Sequence, residues 1–174
     1  NGIILQLITY HSSNDLKIVF LTNKENESKW EYIKSLPHCW NGDKSVRYFA
    51  TNLEEMKTVI SELEKTFNER KVIQADRSSK NESGEELEKN DVYRNFLPYY
   101  LIITDDFKVA RQLPFINILL GIKENYGYSI LLLEKSMQNL PNVCNTFTYV
   151  MDSLSCIFEK ELSRSKQHNF TAEY

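Results

Sequence analysis

Two adjacent acids offer the clearest chemistry in the sequence. Asp105 and Asp106 directly follow the apolar run 99–104, which is typical of a strand covered on both faces. Such an ending has the form of a Walker B segment, in which one carboxylate helps hold Mg²⁺ and a second acid orients water. Acids are also common at this edge of parallel sheets because it faces solvent. We favour the structural interpretation and treat the pair as a Walker-B-like remnant.

A nucleotide-hydrolysing site also needs a loop that holds phosphates. The motif for this loop is G-x-x-x-x-G-K-[ST], because glycines let backbone amides wrap the phosphates and the lysine reaches the terminal ones. The chain has 5 glycines, and none is followed by Lys-Ser or Lys-Thr. We therefore predict no catalytic and no cofactor-binding residues within these 174 residues.

The histidines and cysteines give no stronger candidate. His38 and Cys39 are neighbours, and on an extended segment they would point to opposite sides, away from the hydrogen bond that nucleophilic catalysis requires. His11 and His168 lack a partner at metal-binding spacing, and no C-x-x-C pair exists. We predict no metal site and reduced cysteines, and hence a cytosolic compartment.

The apolar pattern of the sequence predicts the helices and strands that carry these residues. Continuous or alternating apolar runs predict strands at 16–21, 46–51, 99–104, 128–133, 146–151 and 154–158. Helical spacing predicts helices at 4–11, 26–36, 53–71 and 108–123. Asn52 is the expected N-cap of the third helix, with Glu55 completing a capping-box-like pattern, and Pro114 should break the fourth near Leu113.

The remaining segments are polar. Residues 71–95 are rich in Ser, Asn, Glu and Lys, which predicts a mobile surface insertion, and 163–174 are predicted to be an exit linker. Strands that alternate with helices predict one α/β domain over 1–174, with a mainly parallel sheet and helices on both faces.

Composition limits the partners. The net charge is -3 and basic residues are scattered, so the concentrated positive field that nucleic acids require is missing. Apolar runs are far shorter than the roughly 18 residues of a membrane span. The aromatic pairs Trp30 with Tyr32 and Trp40 with Tyr48 are more typical of packing than of base stacking.

Several ordered segments resemble one family. The segments LQLITYHSSNDLKIVFL, WEYIKSLPHCW, RYFATNLEEM, PYYLIITDD and LPNVCNTF span nearly the whole chain. Together they resemble the FtsK/SpoIIIE-type ATPases of type VII secretion, the EssC/EccC family. The matching motif residues, which we expect to have structural or interaction roles, are Trp30, Glu31, Lys34, Leu36, Pro37 and His38.

The resemblance implies a position and a role. It places the chain between the membrane helices and the first true ATPase module, as a degenerate P-loop domain without its own cofactor. ATP and Mg²⁺ would be used by other domains of the same protein, which would export WXG-type substrates. The implied partners are those adjacent ATPase domains and other secretion components, in a hexameric assembly on the cytoplasmic side of the membrane.

Two alternatives remain open. The chain begins at the first helix, without an initiator Met, and looks cut from a longer protein. A phosphate loop could therefore lie upstream, which would make this an active Mg²⁺-dependent ATPase with Asp105 as metal-linked acid and Asp106 as water-orienting group. A DNA motor fragment is the other alternative, and the charge balance opposes it.

Overall fold

The computed structural model describes residues 2–80, 96–144, 146–151, 154–159 and 168–170. The chain divides into two compact units, Asn1–Glu134 and Lys135–Tyr174. The first unit contains a parallel sheet with its helices, and the second contains a small antiparallel sheet. None of the described helices combines the length and the apolar character needed to cross a membrane.

The first unit is an α/β fold. Its helices and strands are α1 Gly2–Tyr10, β1 Leu16–Leu21, β2 Phe49–Ala50, α2 Leu53–Lys80, β3 Tyr99–Thr104, α3 Phe107–Ala110, α4 Pro114–Gly121 and β4 Tyr128–Leu132. The strand order is β2-β1-β3-β4, and every pairing is parallel. The predicted fold class, a parallel sheet flanked by helices, is confirmed.

Strand burial follows position in the sheet. All six residues of β1 are buried, as expected for a strand between two neighbours. β4 is the last strand in the order and its residues are only half-buried or exposed, whereas the sequence predicts a buried strand there. The difference has a simple cause, because an outer strand has a neighbour on one side only.

Each face of the sheet packs against different elements. Side chains alternate between faces along a strand, so Phe20 of β1 lies on one face, where its ring contacts Trp30 at 4.6 Å and Phe49 at 5.8 Å. On the other face, Tyr128 of β4 packs against Phe67 of α2 at 5.8 Å and Phe115 of α4 at 5.9 Å. The core is therefore formed on both sides of the sheet.

The start of α2 matches its sequence signal. The Asn52 side chain accepts a hydrogen bond from the Glu55 amide at 3.0 Å, and the Glu55 carboxylate accepts one from the Thr51 amide at 2.7 Å. The helix continues to Lys80, so residues 71–80 of the predicted insertion are helical. The rest of that prediction, residues 81–95, lies outside the described residues.

Residues 26–36 do not form the predicted α-helix. Three short 3-10 helices, Glu27–Lys29, Glu31–Ser35 and Pro37–Cys39, lie between β1 and β2 instead. The first two meet at Trp30, whose ring packs against Phe20 on one face of the sheet. Leu36 has an extended backbone before Pro37. Tertiary contacts of Trp30 thus override the local periodicity. The predicted break near Leu113 is confirmed, because α3 ends at Ala110 and α4 begins at Pro114.

A buried arginine joins α2 to the loops before β3 and β4. Arg70 is 4% exposed, and its guanidinium donates to the carbonyls of Pro98 at 2.7 Å and Tyr126 at 2.8 Å. The same group lies over the rings of Tyr100 at 5.1 Å and Tyr128 at 5.2 Å. Arg70 therefore fixes the amino end of both strands.

The described part of the second unit contains a 3-10 helix and three strands. They are the 3-10 helix Met137–Asn139, β5 Thr146–Met151, β6 Leu154–Glu159 and β7 His168–Phe170. β5 pairs with β6 and β6 with β7, both antiparallel. The predicted strands at 146–151 and 154–158 are confirmed, and β7 lies within the predicted exit linker; the other residues of 163–174 fall outside the part of the chain that is described.

Candidate functional site

The acid pair lies at the carboxyl edge of the sheet. β1 and β3 are in register up to Leu21 and Thr104, so the residues that follow, Thr22 and Asp105, come to the same edge. The positions of Asp105 and Asp106 are therefore those predicted from the sequence. Thr22 and Asn23 were not singled out there, although their place directly after a predicted buried strand was an available signal.

Both carboxylate oxygens of Asp106 accept hydrogen bonds from the protein. One oxygen accepts a hydrogen bond from the Asn23 side-chain amide at 2.9 Å. The other accepts from the Val109 backbone amide at 3.2 Å and so caps the N-terminus of α3. The Asp106 amide in turn donates to the Thr104 hydroxyl at 3.1 Å. This carboxylate already performs two structural tasks.

Asp105 has one satisfied oxygen and one that is not. Its Oδ2 accepts a hydrogen bond from the Trp30 indole N–H at 2.8 Å. Its Oδ1 is buried without a hydrogen-bond partner, and the Thr22 hydroxyl at the same edge of the sheet is also buried without one. Unpaired buried polar atoms are uncommon because each loses its hydration without compensation.

Two of the motif residues lie close to this part of the sheet: Trp30 contacts Asp105, and Lys34 lies on the face that carries Phe20. Lys34 forms an ion pair with Glu27 and lies 4.9 Å from the centre of the Phe49 ring. The side-chain hydrogen bonds from Lys24 and Lys34 lower the pKa of Glu27 to about 2. Glu31, in contrast, is exposed.

The second half of the motif anchors the segment to the core. Leu36 packs against the core cluster, and Pro37 begins the third 3-10 helix. His38 is 7% exposed, and its Nε2 is 2.8 Å from the carbonyl oxygen of His11. Because a carbonyl oxygen only accepts, Nε2 is the donor of this hydrogen bond, and Nδ1 is buried without a partner.

His38 and Cys39 do not form a nucleophilic pair. Both lie in a 3-10 helix rather than on the extended segment that the sequence suggested. Burial raises the pKa of the Cys39 thiol to about 12, so the thiolate that nucleophilic chemistry needs is disfavoured at neutral pH. Cys39 and Cys144 are both free thiols.

No described group of residues has the composition of a metal site. Within the described ranges, no cluster of three or more His, Cys, Asp or Glu side chains could hold a metal ion. A cavity of about 370 Å³ lies at the opposite, amino-terminal end of the strands. Its walls are mostly apolar and include Leu7, Leu16, Leu97, Tyr99 and Leu101. This cavity is separate from the acid pair.

Comparison with known proteins finds one group of distant relatives. The chain is 23% identical over 143 residues, 82% of its length, to the type VII secretion system protein EssC of Staphylococcus aureus strain NCTC 8325 / PS 47. The same values hold for EssC of strain COL, and the identity is 22% for strain MSSA476. The match covers 9% of the EssC chain, so this chain spans a small part of the length of the relatives it matches.

Neither family models nor solved structures add to this result. No family model matches the chain, and no solved structure matches it. The resemblance inferred from the residues is thus confirmed as a distant similarity to EssC over most of the chain.

Proposed function

We propose that this chain is a non-hydrolysing α/β domain of a type VII secretion motor related to EssC. The observation that carries the proposal is the use of the acid pair by the protein itself. Asp106 accepts from Asn23 and caps α3, and Asp105 accepts from Trp30. A carboxylate that holds Mg²⁺ or orients water must present its oxygens to the ligand, and three of these four oxygens already accept hydrogen bonds from the protein.

The proposal includes a place in a larger protein. By similarity to EssC, the domain would lie between membrane helices and the first true ATPase module, on the cytoplasmic side. It would act through its surfaces on the adjacent ATPase domains and on other secretion components, in a hexameric assembly. ATP and Mg²⁺ would serve those other domains, and the exported cargo would be WXG-type proteins.

An active ATPase module is the competing proposal. The unpartnered Oδ1 of Asp105 favours it, because this oxygen is an available acceptor at the edge where parallel sheets bind ligands. In that case Asp105 would be the metal-linked acid, Asp106 would orient water, and a phosphate loop upstream would complete the site. The two proposals therefore differ in the role of Asp105 and Asp106, which are structural in one and catalytic in the other.

Nucleotide binding and turnover by the longer protein decide between them. Mg-ATP is titrated by calorimetry and phosphate release is measured, for the native sequence and for Asp106→Asn. We expect the rate of phosphate release to be the same for Asp106→Asn as for the native sequence. Asp43→Asn, which changes an exposed acid away from the sheet edge, is the matched control. If Asp106→Asn alone abolished a part of the turnover while the domain stayed folded, the non-hydrolysing proposal would be wrong.

A further inference from the structure

Residues 23–32 form a segment, here called the strap, that crosses the carboxyl edge of the sheet. It runs between Thr22 and Ile33, both 0% exposed. Every residue of the strap is half-buried or exposed. The strap is therefore a weakly buried segment between two firmly buried ends, which is the pattern expected of a part that opens locally.

Side-chain contacts attach the strap to the sheet edge. Trp30 donates its indole N–H to Asp105, and Asn23 donates to Asp106. The strap residue Glu27 forms an ion pair with Lys34 beyond its end. The Trp30 ring also packs against Phe20, so Trp30 makes both an apolar and a polar contact with the sheet.

The closed arrangement leaves two buried oxygens without partners. Leu16, Ile18 and Phe20 share one face of β1, and Tyr99, Leu101 and Ile103 share it on β3. Alternation places Thr22 and Asp105 one step further along these rows, at the edge where the Trp30 indole contacts Asp105. The Thr22 hydroxyl and Asp105 Oδ1 are the unpartnered atoms. Opening the strap would let water reach both.

We propose that the strap is a lid over the acid pair, latched by the Trp30 to Asp105 hydrogen bond and poised to open. The closed state gains the indole contact and loses the hydration of two oxygens, so the two effects oppose each other. The open state presents Asp105 and Thr22 to solvent. The inference goes beyond the proposed function, because it concerns access to the acids whether or not the domain hydrolyses nucleotide.

Amide hydrogen exchange measures this opening directly. The strap amides of Asn26, Lys29 and Trp30 donate to backbone carbonyls within the strap, so their exchange reports its opening. Amides of β1, such as that of Phe20, which donates to Tyr48, report global unfolding in the same sample. Trp30→Phe keeps a ring against Phe20 and removes the N–H. We expect the strap amides to exchange about tenfold faster while the β1 amides are unchanged.

Two further variants keep the test decisive. Trp40→Phe is the matched control, because Trp40 lies outside the strap and stacks against Arg47 at 4.4 Å; strap exchange should stay at the native rate. Thr22→Val removes one unpartnered oxygen at nearly constant shape, and we expect exchange about threefold slower. Native strap exchange in Trp30→Phe would overturn the latch. Exchange in Thr22→Val that is unchanged or faster would overturn the claim that the closed state is poised to open.

Discussion

Asp105 and Asp106 are neighbours in the chain but have different surroundings. Asp106 begins a helix, where its carboxylate satisfies a backbone amide that the helix leaves free. Asp105 points to the face of the sheet that carries Phe20, where an indole covers it. The alternation of side chains at the end of a strand produces this difference. One acid therefore stabilises a helix and the other holds the strap.

Gly127 occupies a position that requires glycine. Its φ is +83°, and a Cβ there would lie 2.5 Å from the Arg70 Nη1 and 3.0 Å from the Phe96 Cβ. We expect Gly127→Ala to lower the free energy of unfolding by about 2–3 kcal/mol, from backbone strain and displacement of the guanidinium. Denaturant unfolding followed by circular dichroism measures it.

Gly121→Ala is the matched control for that substitution. Gly121 ends α4, and nothing lies within 4 Å of its added Cβ. Stability should be unchanged or higher by up to about 1 kcal/mol, because alanine is the better helix former. Equal losses in the two variants would contradict the special role of Gly127.

At the residue scale, the sequence predicts positions better than contacts. The end of an apolar run placed Asp105 and Asp106 at the sheet edge, since a strand pattern fixes where the strand stops. The hydrogen bond from Trp30 to Asp105 joins residues 75 positions apart. No local spacing encodes such a contact, so neither the strap nor the role of Thr22 could be predicted.

The elements follow the sequence where local and tertiary preferences agree. Asn52 and Glu55 cap α2 as predicted, and Pro114 sets the start of α4. The segment 26–36 differs, because Trp30 turns toward the sheet and divides it into 3-10 helices. Helical periodicity in the sequence does not show that a tertiary contact of Trp30 will prevent a continuous α-helix.

The N-cap of α2 can be tested by itself. Asn52→Ala removes the acceptor of the Glu55 amide, and we expect a loss of about 1 kcal/mol in the free energy of unfolding. Asn68→Ala, the same change at an exposed interior position of α2, should instead stabilise the helix by a few tenths of a kcal/mol. Urea unfolding of both variants provides the comparison. Equal effects would mean that Asn52 is no cap.

The Glu27 ion pairs make stability depend on pH. Hydrogen bonds from Lys24 and Lys34 hold the pKa of Glu27 at about 2, below its usual 4.5. A lowered pKa in the folded state stabilises the protein above the unfolded value, and this contribution is lost as the pH falls from about 4.5 toward 2. Thermal unfolding of native protein and Glu27→Gln should therefore converge over this range. Parallel curves between pH 6 and 2 would contradict the ion-pair account.

At the scale of the whole molecule, the parallel sheet collects the informative residues at one edge. The carboxyl ends of β1 and β3 bring together Thr22, Asn23, Asp105 and Asp106. The fold class was predictable because buried strands and helices alternate along the sequence. The distant similarity to EssC covers 82% of the chain, and the proposed role in type VII secretion rests on it.

The acid pair belongs to the structure of this domain. The most direct test of this structural role is the free energy of unfolding of Asp106→Ala, with Glu31→Ala, at an exposed acid, as the control. Because Asp106 caps α3 and accepts from Asn23, we predict a loss of about 1–2 kcal/mol for Asp106→Ala and little change for the control. Acids retained for chemistry commonly cost stability, so an unchanged or increased stability in Asp106→Ala would contradict the account.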